Sequence, residues 1–224
     1  MNRTIALLVL LAGVAFAEDL APAQFKSQLE AQKGIVLDVR TPGEVAKGKL
    51  AGASVIDFTA PKFEQKVSLM ARDKPVFVYC HSGGRSGQAV ALMTKLGFTK
   101  VYNLGGGISA WKAAGLPVEA GGEAPSVSGE GVTPEAFDAL IKKEKRVLVD
   151  FHTPWCTPCQ KMAPIVEALK GVKVLKVDLD QSEALGTREK VQGVPVFVLY
   201  VDGKERARLA GEQTTTALEE LSKR

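Results

Sequence analysis

Residues 76–86 read VFVYCHSGGRS, and this stretch decides how the first half of the chain folds. Four apolar residues precede Cys80, a loop with two glycines follows, and apolar residues then recur with helical spacing over residues 86–96. The pattern predicts a buried strand, a tight loop and a helix. Further strand and helix patterns alternate on both sides of it, at 23–32, 35–39, 55–56, 101–104 and 108–114. Strands that alternate with helices predict an α/β domain with a parallel sheet and flanking helices.

The loop after Cys80 has the composition of an anion cradle. Successive backbone N–H groups in such a loop can converge on one point, and the helix that follows adds the positive end of its dipole. Gly83 and Gly84 permit the backbone angles that this geometry needs. We therefore expect Cys80 to have a lowered pKa and to react as a thiolate.

This geometry predicts a loop that binds an anion. The predicted binding residues are His81, Ser82, Gly83, Gly84, Arg85 and Ser86. Arg85 can either pair with an anionic substrate or brace the loop. A buried structural thiol is the alternative for Cys80, and a solvated loop residue without a role is the alternative for His81.

The second half of the chain carries a different cysteine motif. Residues 155–159 read WCTPC, between an apolar strand pattern at 147–151 and a helical pattern that runs to residue 170. This spacing puts Cys156 at the helix N-terminus, where the helix dipole favours its thiolate. Cys159 lies one turn further along and can resolve a mixed disulfide. We predict a reversible redox disulfide between these two cysteines.

A zinc site is the alternative interpretation of this cysteine pair, but it needs more ligands. The sequence has no second CxxC, and His152 is the one histidine close to the pair. We therefore predict no metal and no other cofactor. A hairpin with Asp202-Gly203 at its turn and a helical pattern at 215–223 predict that this half is a mixed sheet with helices on its faces.

Composition and the central segment define the class of protein and its domains. The chain has 224 residues, is 46% hydrophobic and 24% charged, and carries a net charge of +4. These values exclude a disordered, collagen-like or coiled-coil protein. No long Lys/Arg run argues for nucleic acid as a partner. A segment rich in Gly, Ser, Pro and Glu predicts a linker at 121–132, between a domain at 18–120 and a domain at 133–224.

The first 17 residues are predicted to form a cleaved signal peptide. Arg3 precedes an apolar run of 13 residues from Ile5 to Ala17, which is shorter than the roughly 20 residues that span a bilayer. The run ends in Ala15-Phe16-Ala17, the small-residue pattern of a cleavage site. We expect export into an oxidising compartment, the bacterial periplasm. An uncleaved membrane anchor is the alternative.

Several motifs of the first half accompany the cysteine loop. They are DVR at 38–40, Glu44, Gly52-Ala53, GGGISAW at 105–111 and GLPV at 115–118. With them, residues 20–120 resemble a single-domain rhodanese, a sulfurtransferase. The resemblance implies that Cys80 is the catalytic cysteine, that it carries a persulfide taken from a sulfane-sulfur donor such as thiosulfate, and that its loop binds the substrate. The six-residue loop from Cys80 to Arg85 has the size used for sulfur in this family, so a phosphatase or an arsenate reductase ranks lower.

Other positions of the rhodanese pattern lie outside the active loop. We expect Asp38, Arg40 and Glu44 to form charge pairs that hold the fold, away from the cysteine loop. Val45 and Lys49 depart from the family, which often has an aromatic residue and a histidine there. We expect altered packing at these two positions and unaltered chemistry.

The second half also matches a known pattern at positions spread along its length. These are Asp150, WCTPC at 155–159, Pro164, Lys176, Val194-Pro195 and Gly211. Residues 126–224 thereby resemble thioredoxin. The resemblance implies that Asp150 manages the proton of Cys159, with Lys176 as its partner. It also implies that Val194-Pro195 forms a cis-proline loop that faces the disulfide and docks substrate backbone. We expect Trp155 to shield Cys156 and, with Val194 and Pro195, to belong to the substrate-binding surface.

The two resemblances together predict an exported thiol enzyme that combines sulfurtransferase and thiol-disulfide oxidoreductase activities. Cys80 takes up sulfur, Cys156 attacks the persulfide or an equivalent disulfide on a partner, and Cys159 resolves the intermediate. The expected partners are the sulfur donor, protein or small-molecule disulfides or persulfides, and a membrane thiol reductase as electron donor. One alternative is a disulfide reductase whose rhodanese half only binds a partner. Another is a redox-sensitive binding or folding-helper protein.

Overall fold

The computed structural model describes residues 16–120 and 131–224, which form two α/β domains. The strands of the first domain are β1 (Phe16–Leu20), β2 (Ile35–Asp38), β3 (Ser54–Val55), β4 (Val76–Tyr79) and β5 (Lys100–Leu104). Its helices are α1 (Pro22–Gln32), α2 (Pro42–Val45), α3 (Phe63–Ser68), α4 (Gly84–Lys95) and α5 (Gly107–Ala113). The five strands form a parallel sheet in the order β1-β5-β4-β2-β3.

The central strand β4 explains why this sheet has helices on both faces. All four of its residues are buried, and alternate side chains point to opposite faces. Phe77 packs edge-on against Phe25 of α1, with ring centroids 5.2 Å apart. Val78 belongs to the apolar cluster on the other face, with Val67 of α3 and Met93 of α4. Cys80 follows directly at the carboxyl edge of the sheet.

The second domain is a mixed sheet between helices. Its strands are β6 (Arg146–His152), β7 (Lys173–Asp178), β8 (Val196–Val201) and β9 (Lys204–Ala210). Its helices are α6 (Pro134–Lys143), α7 (Thr157–Glu167), α8 (Glu183–Arg188) and α9 (Thr215–Lys223). The strand order is β7-β6-β8-β9, with β6 parallel to β7 and antiparallel to β8. The predicted fold class, α/β with a parallel sheet followed by a mixed sheet, is confirmed.

The two domains pack against each other along α3 and the residues that follow it. Lys62 and Lys66 form ion pairs with Glu183 and Asp180 of the second domain, at 3.1 and 2.8 Å. One cluster of buried apolar side chains includes residues of both domains. The interface therefore combines an apolar centre with charged pairs at its margin.

Parts of the sequence predictions fall outside the described residues or differ from them. Residues 1–15 of the predicted leader and residues 121–130 of the predicted linker lie outside the described ranges. Phe16 and Ala17, the end of that leader, pair with Lys100 and Val101 in the sheet. Within the described ranges, no helix has both the length and the apolar character needed to cross a membrane.

Candidate functional site

The Cys80 thiol is buried and surrounded by hydrogen-bond donors. The backbone N–H of Gly83 donates to Cys80 Sγ at 3.1 Å, and the Ser86 hydroxyl donates at 3.3 Å. Burial raises the pKa of the Cys80 thiol, but the Ser86 hydroxyl and the N–H groups of Ser86, Ser82 and Gly83 act against it, and the pKa is lowered overall. The loop therefore stabilises negative charge on this free thiol.

The start of α5 holds the cysteine loop in this orientation. The N–H groups of Ile108 and Ser109 donate to the carbonyl oxygens of Cys80 and His81, at 2.9 and 3.1 Å. Gly107 makes this close approach possible, because a Cβ there would lie 2.5 Å from both carbonyl oxygens. With the carbonyls of the loop fixed on α5, its N–H groups are left to face the thiol.

Arg85 braces the loop through Glu44. Its guanidinium makes a bidentate contact with the Glu44 carboxylate, at 2.8 and 2.6 Å. Hydrogen bonding from Arg85, assisted by Thr41 and opposed by burial, lowers the pKa of Glu44 to about 2. The expectation that Glu44 lies away from the cysteine loop is therefore wrong. Residues 44 and 85 are far apart in sequence, and only the fold brings them together.

Asp38 and Arg40, the two charged residues of the DVR motif, form a buried ion pair behind the loop. Arg40 Nη2 lies 2.6 Å from Asp38 Oδ2, and both side chains are buried. The Tyr79 hydroxyl donates to the same oxygen at 2.6 Å, and it accepts from the N–H of Leu50. These contacts hold the chain after β2 against the end of β4, next to Cys80. His81, by contrast, is exposed.

The second reaction centre lies at the start of α7. Cys156 and Cys159 form the predicted disulfide, with Cα atoms 5.2 Å apart. Cys156 is the N-cap of the helix, and its Sγ accepts from the N–H of Cys159 at 3.2 Å. This donor would also stabilise a Cys156 thiolate, which is the state in which Cys156 attacks a substrate.

A buried acid lies on the strand that leads to this disulfide. Asp150 on β6 is 3% exposed, and burial raises its pKa to about 7, while the charge of Lys176 acts in the opposite direction. Lys176 is the register partner of Asp150 on β7, but its Nζ binds Glu167 at 2.9 Å. Lys176 therefore influences Asp150 through its charge. Burial also lowers the pKa of the half-buried His152 to about 4, in the same direction as the charge of Lys176.

A cavity of about 550 Å³ joins this region to the first domain. Its lining in the second domain includes Asp150, His152, Cys159 and Lys176. The first domain contributes four residues to the lining, Val45, Lys49, Ala53 and Val55. Val45 and Lys49, the two positions that depart from the rhodanese pattern, both line this cavity.

The cis-proline loop completes the second centre. The Val194–Pro195 peptide bond is cis, and the N–H of Gly211 donates to the Pro195 carbonyl at 2.8 Å. The N–H of Val194 donates to the carbonyl of Leu69 in the first domain, also at 2.8 Å. The indole N–H of Trp155, the residue before Cys156, donates to Asp180 at 3.1 Å.

Several of these contacts were not predicted from the sequence. Ser54 accepts a hydrogen bond from the N–H of Thr157 at 3.1 Å. Leu69 accepts from Val194 in the cis-proline loop, and Asp180 accepts from the Trp155 indole. Leu69 lies in a stretch without any motif. Ser54 lies between the Gly52-Ala53 motif and the predicted strand at 55–56, but neither indicates a contact with the other domain. Asp180 directly follows an apolar strand pattern, and a carboxylate at the end of a strand could have been predicted to be a site residue.

A buried thiol in a loop of amide donors and a disulfide at a helix N-terminus define a thiol enzyme with two reaction centres. Among residues 16–120 and 131–224, no group of three His, Cys, Asp or Glu side chains could hold a metal ion. The Rhodanese-like domain family model matches residues 21–114, and the Thioredoxin family model matches residues 129–224.

Individual relatives match one half of the chain at a time. A sulfurtransferase of Allochromatium vinosum is 38% identical over 86 residues, which cover 38% of this chain and 78% of the relative. A thioredoxin-like protein of Synechocystis sp. is 37% identical over 86 residues, which cover 36% of this chain and 82% of the relative. The chloroplast thioredoxin Y1 of Arabidopsis thaliana is 36% identical over 86 residues, 36% of this chain and 50% of that protein, so the match spans half its length.

The chain therefore belongs to the rhodanese-like proteins through its first domain and to the thioredoxin family through its second. It combines a domain of the sulfurtransferase type with a domain of the thiol-disulfide oxidoreductase type. Cys80 lies in the cysteine loop of the first, and the Cys156–Cys159 disulfide is the redox centre of the second.

Proposed function

We propose that the two domains act in sequence, with sulfur passing from Cys80 to the dithiol of the second domain. The observation that carries this proposal is the contact between Ser54 Oγ and the N–H of Thr157, the residue next to Cys156. It brings the start of α7 to strand β3, in the same sheet that ends at Cys80. A fused acceptor held there receives sulfur without a diffusional encounter.

Strand register supports the proximity of the two centres. Val55 pairs with Asp38, and Asp38 pairs with Tyr79, which directly precedes Cys80. Two strand spacings of about 4.8 Å therefore separate Val55 from Tyr79, roughly 10 Å in all. Val55 also lines the cavity beside Cys159. This places the strand end that leads to Cys80 on the side of the first domain that faces the dithiol.

The proposed reaction is balanced in atoms and electrons. The Cys80 thiolate attacks the outer sulfur of thiosulfate, a sulfur–sulfur bond forms, and sulfite leaves. The Cys156 thiolate then takes the outer sulfur of the Cys80 persulfide and releases the Cys80 thiolate. Cys159 attacks Cys156 Sγ and releases sulfide, so that the dithiol is oxidised to the disulfide while sulfane sulfur is reduced. The loop N–H groups stabilise the anionic persulfide.

We further propose that the protein is exported to the periplasm and is reduced there by a membrane thiol reductase. The support is the apolar leader pattern that ends in Ala15-Phe16-Ala17. Each turnover leaves a disulfide, and an oxidising compartment does not restore the dithiol by itself. A proline and no histidine within WCTPC fit a reductant.

Sulfur loading followed by mass spectrometry tests the proposal. The reduced protein is treated with thiosulfate, and we expect the mass of one sulfur atom on Cys80, absent in Cys80→Ser. In Cys156→Ser the sulfur should load and remain, and sulfide release should fall to the background rate. If Cys80 gains no sulfur, or if Cys156→Ser releases sulfide at the rate of the unchanged protein, sulfur does not pass between the domains.

A second candidate is a disulfide reductase whose first domain only binds a partner or covers the dithiol. The burial of Cys80, which is 1% exposed, favours it. It requires that reduction of insulin disulfides survives Cys80→Ser with an unchanged rate and that thiosulfate adds no mass. The loading experiment thus separates the two functions.

A further inference from the structure

The face of the second domain that carries the disulfide is covered by the first domain. Trp155, Cys156 and Cys159 are 7%, 3% and 5% exposed. Thiol-disulfide exchange requires a thiolate to reach a disulfide sulfur. In the observed arrangement little of the disulfide surface is open to an attacking thiolate, so a separate protein substrate needs a different arrangement of the domains.

Backbone groups next to Cys156 and in the cis-proline loop are bonded to the first domain. The N–H of Val194 donates to the carbonyl of Leu69, and the N–H of Thr157 donates to Ser54 Oγ. Next to Val194, a Cβ on Gly193 would lie 3.6 Å from Ala71 Cα, so the backbone segments around Gly193 and Ala71 are in van der Waals contact. The first domain thus presents main chain to the cis-proline loop, as a bound polypeptide would.

Ion pairs join the two domains next to this main-chain contact. Asp180 accepts from the Trp155 indole with one oxygen and pairs with Lys66 through the other, at 3.1 and 2.8 Å. The Asp180 side chain is 7% exposed, so this pair is largely withdrawn from water. Lys62 pairs with Glu183 one helical turn away. The surface around the disulfide therefore accepts a backbone carbonyl and a cation at fixed positions.

We propose that residues 62–71, the docking segment, are the resident occupant of the surface that receives disulfide substrates. A polypeptide that offers a carbonyl to Val194 and a basic side chain to Asp180 gains access to Cys156 by displacing this segment. The two domains then exchange between a closed state, which protects the disulfide, and an open state, which reacts. The inference is independent of sulfur transfer from Cys80.

Charge reversal in the docking segment tests the proposal while every residue of the second domain is left unchanged. In Lys62→Glu/Lys66→Glu, both ion pairs become repulsive, and we expect dithiothreitol to reduce the Cys156–Cys159 disulfide about tenfold faster. The matched control, Lys95→Glu/Lys112→Glu, changes the net charge equally at two exposed lysines of the first domain and should keep the original rate. The rate is followed on sulfur-free protein by alkylation and mass spectrometry.

Hydrogen exchange of the Val194 amide provides a second measurement on the unchanged protein. The proposal requires this amide to be protected in the oxidised protein and to lose protection in the double variant at unchanged secondary structure. Equal reduction rates for the double variant and the unchanged protein would overturn it. The proposal would also be overturned if the Val194 amide of the unchanged protein exchanged as fast as an unprotected amide, regardless of the result for the variant.

Discussion

At the Cys80 sulfur, burial and hydrogen bonding act in opposite directions. Burial raises the pKa of Cys80, and the loop donors lower it by a larger amount. The Ser86 hydroxyl is the one side-chain donor among the contributions to this shift. The reactivity of the thiol therefore depends on a residue six positions along the chain, on the first turn of the helix α4.

Ser86→Ala should make the Cys80 thiolate harder to form. One hydrogen bond to the thiolate is lost, which costs about 1 kcal/mol, so the rate of alkylation at a pH below the pKa of Cys80 should fall about fivefold. The pH midpoint of alkylation should move upward, since the pKa of Cys80 rises. Ser82→Ala is the matched control, because Ser82 contributes its N–H and not its side chain. A profile for Ser86→Ala that coincides with that of Ser82→Ala would contradict the assignment.

Asp150 makes the stability of the second domain depend on pH. Its pKa is raised from 3.8 to about 7 by burial, so the folded state holds a proton that the unfolded state has lost between these values. Stability therefore falls as pH rises through this window, by up to about 4 kcal/mol above pH 8. Asp150→Asn should remove the fall, so that the variant becomes the more stable protein at high pH.

Urea unfolding of the oxidised protein between pH 4 and 8.5 measures this difference. The gap between Asp150→Asn and the unchanged protein should open with rising pH and level off above pH 8. Asp73→Asn, at an exposed carboxylate, should stay within about 0.5 kcal/mol of the unchanged protein throughout. A gap that is constant with pH would show that Asp150 is ionised in the folded protein across the whole range.

At the scale of elements, the contact of α5 with the cysteine loop carries a sharp steric requirement. Gly107 has φ +60, and a Cβ there would lie 2.5 Å from two backbone oxygens of the loop. Gly97 has φ +90 but faces open space. Gly97→Ala should therefore cost only the backbone strain, about 1 kcal/mol. Gly107→Ala adds an overlap with backbone that cannot move away cheaply, so its cost should exceed that by about 2 kcal/mol.

Sulfur loading distinguishes a local effect at the loop from general destabilisation. Gly107→Ala should lose thiosulfate-dependent loading of Cys80, because the loop N–H groups are displaced from the thiol. Gly97→Ala should load at the original rate. If the two variants load equally fast while both remain folded, α5 does not orient the loop.

The regular elements were predictable from the sequence where apolar periodicity is long or flanked by clear turn residues. Strand β4 and helix α9 are examples, and so is the hairpin at Asp202-Gly203. The short helices α2, α3 and α8, of four to six residues, are too brief to show a period. Strand β1 pairs with a strand about 84 residues away. Its first residues, Phe16 and Ala17, also fit the end of an apolar leader, so the local sequence does not distinguish the strand from the leader.

The residues of the candidate site also fall into a group that the sequence predicted and a group that it did not. Cys80, Cys156 and Cys159 stand in local motifs whose spacing dictates their surroundings, so the sequence alone pointed to them. The brace between Glu44 and Arg85 and the docking of Leu69 on Val194 join positions far apart in the chain. Such contacts depend on how elements and domains pack, and a single sequence contains no local pattern for them.

At the scale of the whole molecule, fusion should make sulfur transfer from Cys80 to Cys156 intramolecular. A tether of short length gives an effective concentration in the millimolar range, far above any concentration used in solution. Sulfide release from a loaded, reduced chain should therefore be first-order, with the same rate constant at about 1 and about 20 μM protein.

A mixture of two variants turns the same reaction into a transfer between molecules. Loaded Cys156→Ser is the sulfur donor, and reduced Cys80→Ser is the acceptor. At about 1 μM each, transfer in this mixture should be at least about 100-fold slower than in the unchanged chain, and its rate should rise in proportion to concentration. A mixture that matches the unchanged chain at low concentration would show that the domains exchange sulfur between molecules, and that the contact of Ser54 with Thr157 has no part in the transfer.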